Sequence, residues 1–215
     1  MNIKIWSNFI KIFQSFFRKK RGVFLKKMYP DLSNLKILDL GGTESFWIQL
    51  GIKINPNNIT IINIANYQEE YSKLLGIKKI IYDGKKIPFK DKTFDLVICN
   101  SVLEHVPLKQ RFELCAEIQR VSKFYFIQTP SFYFPIEPHF VLPFIHWLPK
   151  KIGLYYLYLS PWKILSKPKK KTINDYFINT NLLKESDLVE LFKNSKIFKE
   201  KFLFITKSYY VCSKK

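Results

Sequence analysis

The stretch Leu35-Lys-Ile-Leu-Asp-Leu-Gly-Gly-Thr43 constrains this chain more than any other part of it. Leu35, Ile37, Leu38 and Leu40 form a near-continuous apolar run, the pattern of a strand buried on both faces of a parallel sheet. Gly41 and Gly42 then permit a tight turn with no Cβ against the backbone. Ser45 to Leu50 can open a helix whose free N–H groups point back over that turn. Strand, glycine turn and helix start suit a nucleotide-like ligand, provided the remaining chain supplies a doubly wound sheet.

The remaining chain supplies the pattern. Asn58 to Ile64 is rich in β-branched residues and predicts a second strand, with Glu44 to Ile52 as a short crossover helix. Ile77 to Tyr82 predicts a third strand ending at Asp83-Gly84, and Leu96 to Asn100 a fourth, introduced by Asp95. Leu108 to Val121 reads as a helix with Phe112, Leu114, Cys115, Ile118 and Val121 at apolar positions, and Lys123 to Thr129 as a fifth strand. Strands alternating with helices over this length predict a parallel α/β sheet. Near the end, Asp187 to Phe192 predicts a helix capped by Ser186. Ile197 to Ile205 and Ser208 to Cys212 then predict a closing antiparallel hairpin.

Between the fifth strand and that helix the character changes. Seven of the eleven prolines fall between Pro130 and Pro168, interleaved with aromatics from Phe132 to Trp162. So many prolines prevent long regular elements, yet the segment is too apolar for a solvated loop. It reads as an inserted lid of short helices and turns at about residues 130–180. The predicted organisation is a basic helix over residues 1–30 followed by one domain over 31–215.

Charge placement separates two zones from a near-neutral body. The chain carries a formal charge of +19, and 15 of those charges fall in residues 1–27 and 150–171, which contain no acid. In residues 1–27, Ile5, Trp6, Phe9, Ile10, Phe13, Phe16 and Phe17 share one helical face, and Arg18-Lys-Lys-Arg21 closes the segment before Gly22, the expected helix end. That face suits either an interfacial membrane helix or a leading helix packed across the sheet. No run of apolar residues is long enough to span a bilayer. Cys99, Cys115 and Cys212 are widely spaced and odd in number, as reduced core thiols of a cytoplasmic protein would be.

In order, Ile37-Leu-Asp-Leu-Gly-Gly42, Ile61-Ile-Asn63, Tyr82-Asp-Gly84 with Ile87-Pro-Phe89, Phe94-Asp-Leu-Val97 and Val102-Leu-Glu-His-Val106 resemble class I S-adenosylmethionine-dependent methyltransferases of the type 11 kind. The resemblance covers roughly residues 35–130 and implies a Rossmann-like α/β fold. Its seven-stranded, mostly parallel sheet has an antiparallel last strand and helices on both faces. It implies S-adenosyl-L-methionine as cofactor. Asp39, Gly41, Gly42 and Thr43 would then lie under the methionyl part, and Asn63 would meet the ribose hydroxyls. Asp83 with Gly84 would meet the adenine, and Asn100 and Ser101 would flank the methionyl group and the transferred methyl. Two positions depart from the family: Thr43 stands where a second alternating glycine is usual, and Asn63 where Asp or Glu is usual. Asn63→Asp is therefore expected to preserve or tighten cofactor binding.

Methyl transfer is an in-line displacement on an activated sulfonium, so the protein must align the acceptor and exclude water. An oxygen acceptor also needs a base, and Glu137-Pro-His139 offers an imidazole after a proline-fixed turn. His139 is thus the candidate base, its alternative a histidine packed within the lid. His105 is a second candidate, its alternative a residue that opens the following helix. Glu104 and His105 are two donors on one loop, too few for a dedicated metal site, so no metal is expected.

The reading is a methyltransferase acting on a small-molecule or glycan or lipid-linked acceptor, through oxygen. It would be cytoplasmic, with residues 1–27 in peripheral contact with the anionic inner membrane face. The alternatives are an RNA methyltransferase, although no dedicated nucleic-acid module is visible, and a non-catalytic relative that keeps the fold.

Overall fold

The apolar run after Leu35 folds as β1 (Ile37–Leu40), buried at all four positions. The strands that follow are β2 (Ile59–Ile64), β3 (Lys78–Tyr82), β4 (Phe94–Asn100), β5 (Ser122–Pro130), the two-residue β6 (Ile136–Glu137) and β7 (Leu142–Pro143), then β8 (Ser195–Phe202) and β9 (Ile205–Ser213). The helices are α1 (Ile3–Met28), α2 (Glu44–Leu50), α3 (Leu108–Val121), α4 (Lys150–Tyr158), α5 (Lys170–Ile173) and α6 (Glu185–Leu191). The structure is a computed structural model that describes residues 3–64, 75–160, 163, 167–173 and 177–213, with side chains described from residue 15 onward except at 172.

Seven strands form one sheet in the order β3-β2-β1-β4-β5-β9-β8, and β6 pairs with β7 alone. β1, β2 and β3 are parallel, with Asp39 opposite Ile61 and Asn63 opposite Ile81. β9 runs antiparallel to both β5 and β8, which gives the mostly parallel sheet with one reversed strand that the sequence predicts. The chain divides into two compact units, Met1–Ile98 with Val121–Lys123, and Cys99–Arg120 with Phe124–Lys215.

In the first unit, Ile37, Leu38, Leu40, Ile59, Ile61 and Ile62 are almost wholly buried around β1 and β2. At roughly 1.5–3 kcal/mol for each fully buried aliphatic side chain, this strand pair dominates the local stability. Asp95 opens β4 by accepting from the Lys36 N–H at 3.0 Å and pairing with Lys123 at 2.8 Å. The helix after β1 stops at Leu50, two residues early, because Gly51 adopts a left-handed φ of 65° and turns the chain.

Gly22 does not end the first helix. α1 continues through it to Met28, because Gly22 lies where α1 meets α2 and a Cβ there would strike the Leu50 carbonyl. Phe17 and Leu25 are buried, Arg18 bonds Gln49 of α2, and Phe16 stays exposed. The carboxyl-terminal half of α1 is thus a packed helix, while the side chains of Ile5 to Phe13 on which the interfacial face was read lie outside the described residues.

In the second unit the insertion after β5 builds its own small core from Phe140, Leu142, Ile145, Leu157, Ile173 and Phe177. Gly153 of α4 sits close enough to Phe177 that a Cβ would lie 2.7 Å from its ring. The closing hairpin turns at Leu203 and Phe204 rather than after Ile205, with Leu203 at a φ of 53° and Phe204 94% exposed. An apolar Leu-Phe-Ile run reads as strand, and here its first two members form the exposed turn. α6 begins at Glu185, with Lys184 in the capping position: its N–H donates to the Asp187 carboxylate at 2.8 Å, so Ser186 is not the cap. Cys99, Cys115 and Cys212 are buried and form no disulfide among the described residues. No helix among the described residues is long and apolar enough to cross a membrane.

Candidate active site

The glycine turn of the first unit is organised by a buried acid. Asp39 ends fully buried in β1 and accepts the Trp47 indole N–H at 2.8 Å. Its carboxylate lies directly beneath Gly42, where any Cβ would overlap it. Gly41 takes a φ of 72°, which glycine adopts without strain, and its N–H reaches the Ile62 carbonyl at 2.9 Å. Burial drives the Asp39 pKa up to about 7, against the lowering effect of the Trp47 bond.

Thr43 stands at the departure from the glycine pattern because it caps α2, its hydroxyl accepting from the Phe46 N–H at 3.2 Å. Asn63 also has a local reason. Its amide donates to the Gly42 carbonyl at 3.2 Å, tying the end of β2 to the turn after β1. A carboxylate has no hydrogen to donate there. Asp83 accepts from the Lys85 N–H at 2.9 Å, and Gly84 follows with a φ of 80°. Asp39, Gly41, Gly42 and Thr43 thus lie in and under the turn after β1, to which Asn63 is bonded through Gly42, while Asp83 and Gly84 form a separate turn after β3.

The second unit holds the other predicted residues. Asn100 ends β4, and Ser101 follows in a left-handed conformation, φ 55°, that non-glycine residues seldom adopt. Two bonds to Gln128 hold it there: its N–H donates to the carbonyl at 2.8 Å, and its hydroxyl to Oε1 at 2.9 Å.

Two residues further on, the short helix Leu103–His105 presents Glu104 and His105. His105 Nε2 lies 3.1 Å from His139 Nε2, and His105 Nδ1 lies 3.0 Å from the Thr180 hydroxyl. His139 Nδ1 meets the Glu137 carboxylate at 2.6 Å, and the same carboxylate accepts the N–H groups of His139 and Phe140. Because a carboxylate only accepts, it fixes the His139 proton on Nδ1 and leaves Nε2 as the acceptor nitrogen. His139 is neither a loosely packed lid histidine nor an isolated base. It is the middle of a chain that runs Glu137–His139–His105–Thr180.

The electrostatics follow from burial. Burial draws His139 down, but the Glu137 hydrogen bond and the Glu137 and Glu104 charges more than offset it, so its pKa is raised. Burial, then the charges of His139 and Arg111, hold His105 near 4, which keeps it neutral. Burial lifts Glu104 to about 7. One Glu104 oxygen accepts the Thr129 hydroxyl at 3.0 Å, and the other has no hydrogen-bond partner.

Arg111 ties this loop to the far end of the insertion, donating to the Val106 and Asn181 carbonyls, while the Asn181 N–H reaches the Glu104 carbonyl at 2.8 Å. Beside the chain lies a cavity of about 120 Å3 bounded by Phe132, Glu137, His146, Lys150, Phe177 and Thr180. His146 packs edge-on against Trp147 and lies 2.9 Å from the Phe132 carbonyl. The sequence carried a signal for Glu137 in the Glu-Pro-His run. It carried none for Thr180, which only the fold brings to His105.

Residues 38–124 match the methyltransferase domain family. A tRNA U34 carboxymethyltransferase of Nautilia profundicola is 32% identical over 95 residues, and the match spans 38% of this chain and 29% of that relative's length. Among solved structures, an S-adenosylmethionine-dependent methyltransferase from Archaeoglobus fulgidus superposes with a TM-score of 0.53 at 14% identity, covering 92% of this chain and 94% of that one. The magnesium protoporphyrin IX methyltransferase of Synechocystis, solved with S-adenosylhomocysteine bound, superposes with a TM-score of 0.53 at 14% identity, covering 99% of this chain and 87% of that one. The structural likenesses carry the fold, and the family match carries the domain. Residues 38–124 thus carry a methyltransferase domain, set in a seven-stranded, mostly parallel α/β sheet.

Proposed function

We propose that the protein transfers the methyl group of S-adenosylmethionine to an oxygen of a small-molecule or glycan acceptor, lipid-linked acceptors included. The observation that carries this reading is the Glu137–His139–His105 chain beside a cavity of mixed apolar and polar lining to which Glu137 and Thr180 contribute. Methylating an oxygen releases a proton, and a histidine oriented by a carboxylate is suited to take it. His139 acts on the acceptor hydroxyl, with His105 as its hydrogen-bonded neighbour. In the cofactor half, Asp39, Gly41, Gly42 and Thr43 serve the methionyl part, Asn63 the ribose, and Asp83 with Gly84 the adenine. Asn100 and Ser101 serve the transferred methyl.

The test is formation of S-adenosylhomocysteine against a panel of hydroxyl-bearing sugars, phenols and glycolipids. With the acceptor in hand, His139→Ala is expected to lower kcat by about 10²–10⁴-fold while cofactor affinity is unchanged. Unchanged turnover in His139→Ala would overturn the reading.

Peripheral contact with an anionic membrane is supported by placement. α4 leaves Ile152, Tyr155, Tyr158 and Leu159 exposed on the side opposite buried Gly153 and Leu157. No acid occurs from residue 138 to residue 174, while residues 150–171 carry seven lysines. Apolar and aromatic side chains amid lysines suit an interfacial surface. Co-sedimentation with vesicles containing anionic lipid, lost in high salt, is the expected behaviour. A second reading, methylation of RNA, is favoured by the Nautilia relative, whose name refers to tRNA. Binding of tRNA with a steep salt dependence would favour it.

A further inference from the structure

The sequence offered Glu104 and His105 as two donors on one loop, and the fold adds a third. Ligand atoms of Glu104, His105 and His139 lie within 4.8 Å of one another. We infer that these three side chains bind a divalent first-row transition cation, of the Zn²⁺ or Mn²⁺ class, at the edge of the acceptor cavity.

The donor orientation is the first support. Metal-bound histidines donate their second ring N–H to a carboxylate or another oxygen, which fixes the tautomer and aims the remaining lone pair. His139 meets Glu137 in that way at 2.6 Å, and Nδ1 of His105 lies 3.0 Å from the Thr180 hydroxyl. Both Nε2 atoms therefore point at the same place, 3.1 Å apart. With metal–nitrogen bonds of about 2.1 Å, that separation corresponds to an N–metal–N angle of roughly 95°, between octahedral and tetrahedral values. Without a cation the two nitrogens share one hydrogen bond, Thr180 then donating to His105, and the cation replaces that shared proton.

The second support is independent of the histidines. Glu104 is 0% exposed, and one of its carboxylate oxygens has no hydrogen-bond partner. A buried oxygen left without a partner costs about 1–3 kcal/mol, more if it is charged, and a cation is the partner that satisfies it. Two imidazoles and one carboxylate select a first-row transition ion over Mg²⁺ or Ca²⁺, which favour all-oxygen sets.

The site's other consequence is positional. Glu104 and His105 follow β4, whereas His139 belongs to the insertion, so one ion would fasten the insertion to the loop within the second unit. The three donors leave further coordination positions, and Glu137 and Thr180, which bond to His139 and His105, line the neighbouring cavity. An acceptor hydroxyl there would meet a Lewis acid that lowers its pKa, so that its proton passes to solvent and the oxygen takes the methyl from the sulfonium. The inference rests on the reading of this cavity as the acceptor site and deepens it: the histidines would serve the acceptor by holding the cation.

The experiment is direct titration of the chelator-stripped, full-length protein with Zn²⁺ and with Mn²⁺ by calorimetry. His105→Ala, His139→Ala and Glu104→Gln run alongside, with S-adenosylmethionine binding as the folding control. The expected result is one cation per chain, weakened more than about 100-fold in each variant that still binds cofactor, and about 10- to 100-fold in Glu137→Gln. No cation bound by the wild-type protein, or equal affinity in all variants, overturns the inference. Turnover separates it from the parent reading. Full activity in chelator with loss in His139→Ala leaves the proton-acceptor role and removes the cation. Cation binding with unchanged turnover in His139→Ala removes the acceptor role instead.

Discussion

The Trp47 indole donates its N–H to Asp39 at 2.8 Å, and both side chains are almost wholly buried. That bond keeps a carboxyl group under the glycine turn at a depth where its charge is costly. The folded pKa is about 7 against an ordinary 3.8. A raised folded value means that the folded protein holds the proton more tightly. The resulting stability is complete below about pH 3.8 and is lost as pH rises through about 7. Each unit of separation is worth about 1.4 kcal/mol, so the cofactor-free protein should lose a few kcal/mol between pH 4 and pH 8. Asp39→Asn should not. Melting temperatures of the two proteins followed across that range check this, and parallel curves would refute it.

Gly42→Ala places a methyl group on the Asp39 carboxylate, which Trp47 prevents from swinging aside. Relief must come from the turn itself. The expected outcome is a loss of S-adenosylmethionine affinity of tenfold or more, that is at least about 1.4 kcal/mol, read by calorimetry. An unchanged affinity would place the cofactor elsewhere.

Asn63→Asp now carries an expectation opposite to the one drawn from the family pattern. The substitution removes the donor to the Gly42 carbonyl and sets a carboxylate oxygen against it. Losing one hydrogen bond costs about 1 kcal/mol, so cofactor affinity should fall about fivefold rather than rise. Tighter binding by Asn63→Asp would show that the ribose contact outweighs the turn.

Leu157 is fully buried in the core of the insertion, among Phe140, Leu142, Ile145, Ile173 and Phe177. Leu157→Ala should cost about 2–5 kcal/mol, measured by urea unfolding. S-adenosylmethionine binding by the first-unit turn should survive in conditions where the protein remains folded.

Leu203 occupies a left-handed position, φ 53°, in the two-residue turn of the closing hairpin. Leu203→Gly relieves that strain and should stabilise the hairpin by about 0.5–1 kcal/mol, seen as a small rise in melting temperature. A fall would mean that the exposed leucine contributes a contact outweighing its backbone cost.

The parts of this fold that could be read from sequence are those where burial writes a pattern. The apolar run of β1, the β-branched run of β2 and the periodic face of α3 each identify their element, and their order identifies the sheet. Element ends were less legible because close approach decides them: Gly22 looks like a stop and is a packing contact with Leu50. In the site, Gly41 and Gly42 were marked by the turn after the apolar run and His139 by the Glu-Pro-His run, while Asp39 was marked by the resemblance to the family. Glu104 was read with His105 alone, since its place beside His139, 35 residues away, depends on the fold. Thr180 left no trace, because a threonine after a basic tract has no local pattern to report.

The insertion's private core has a consequence for how such a protein changes over time. Phe140, Leu142, Ile145, Leu157, Ile173 and Phe177 hold one another, so the sequence between them can be exchanged without disturbing β1 to β3. Selection on what the cavity admits is thereby uncoupled from selection on the core of the first unit. A lineage can keep one methyl donor and try many recipients, drifting in its proline- and aromatic-rich stretch while the glycine turn stands still.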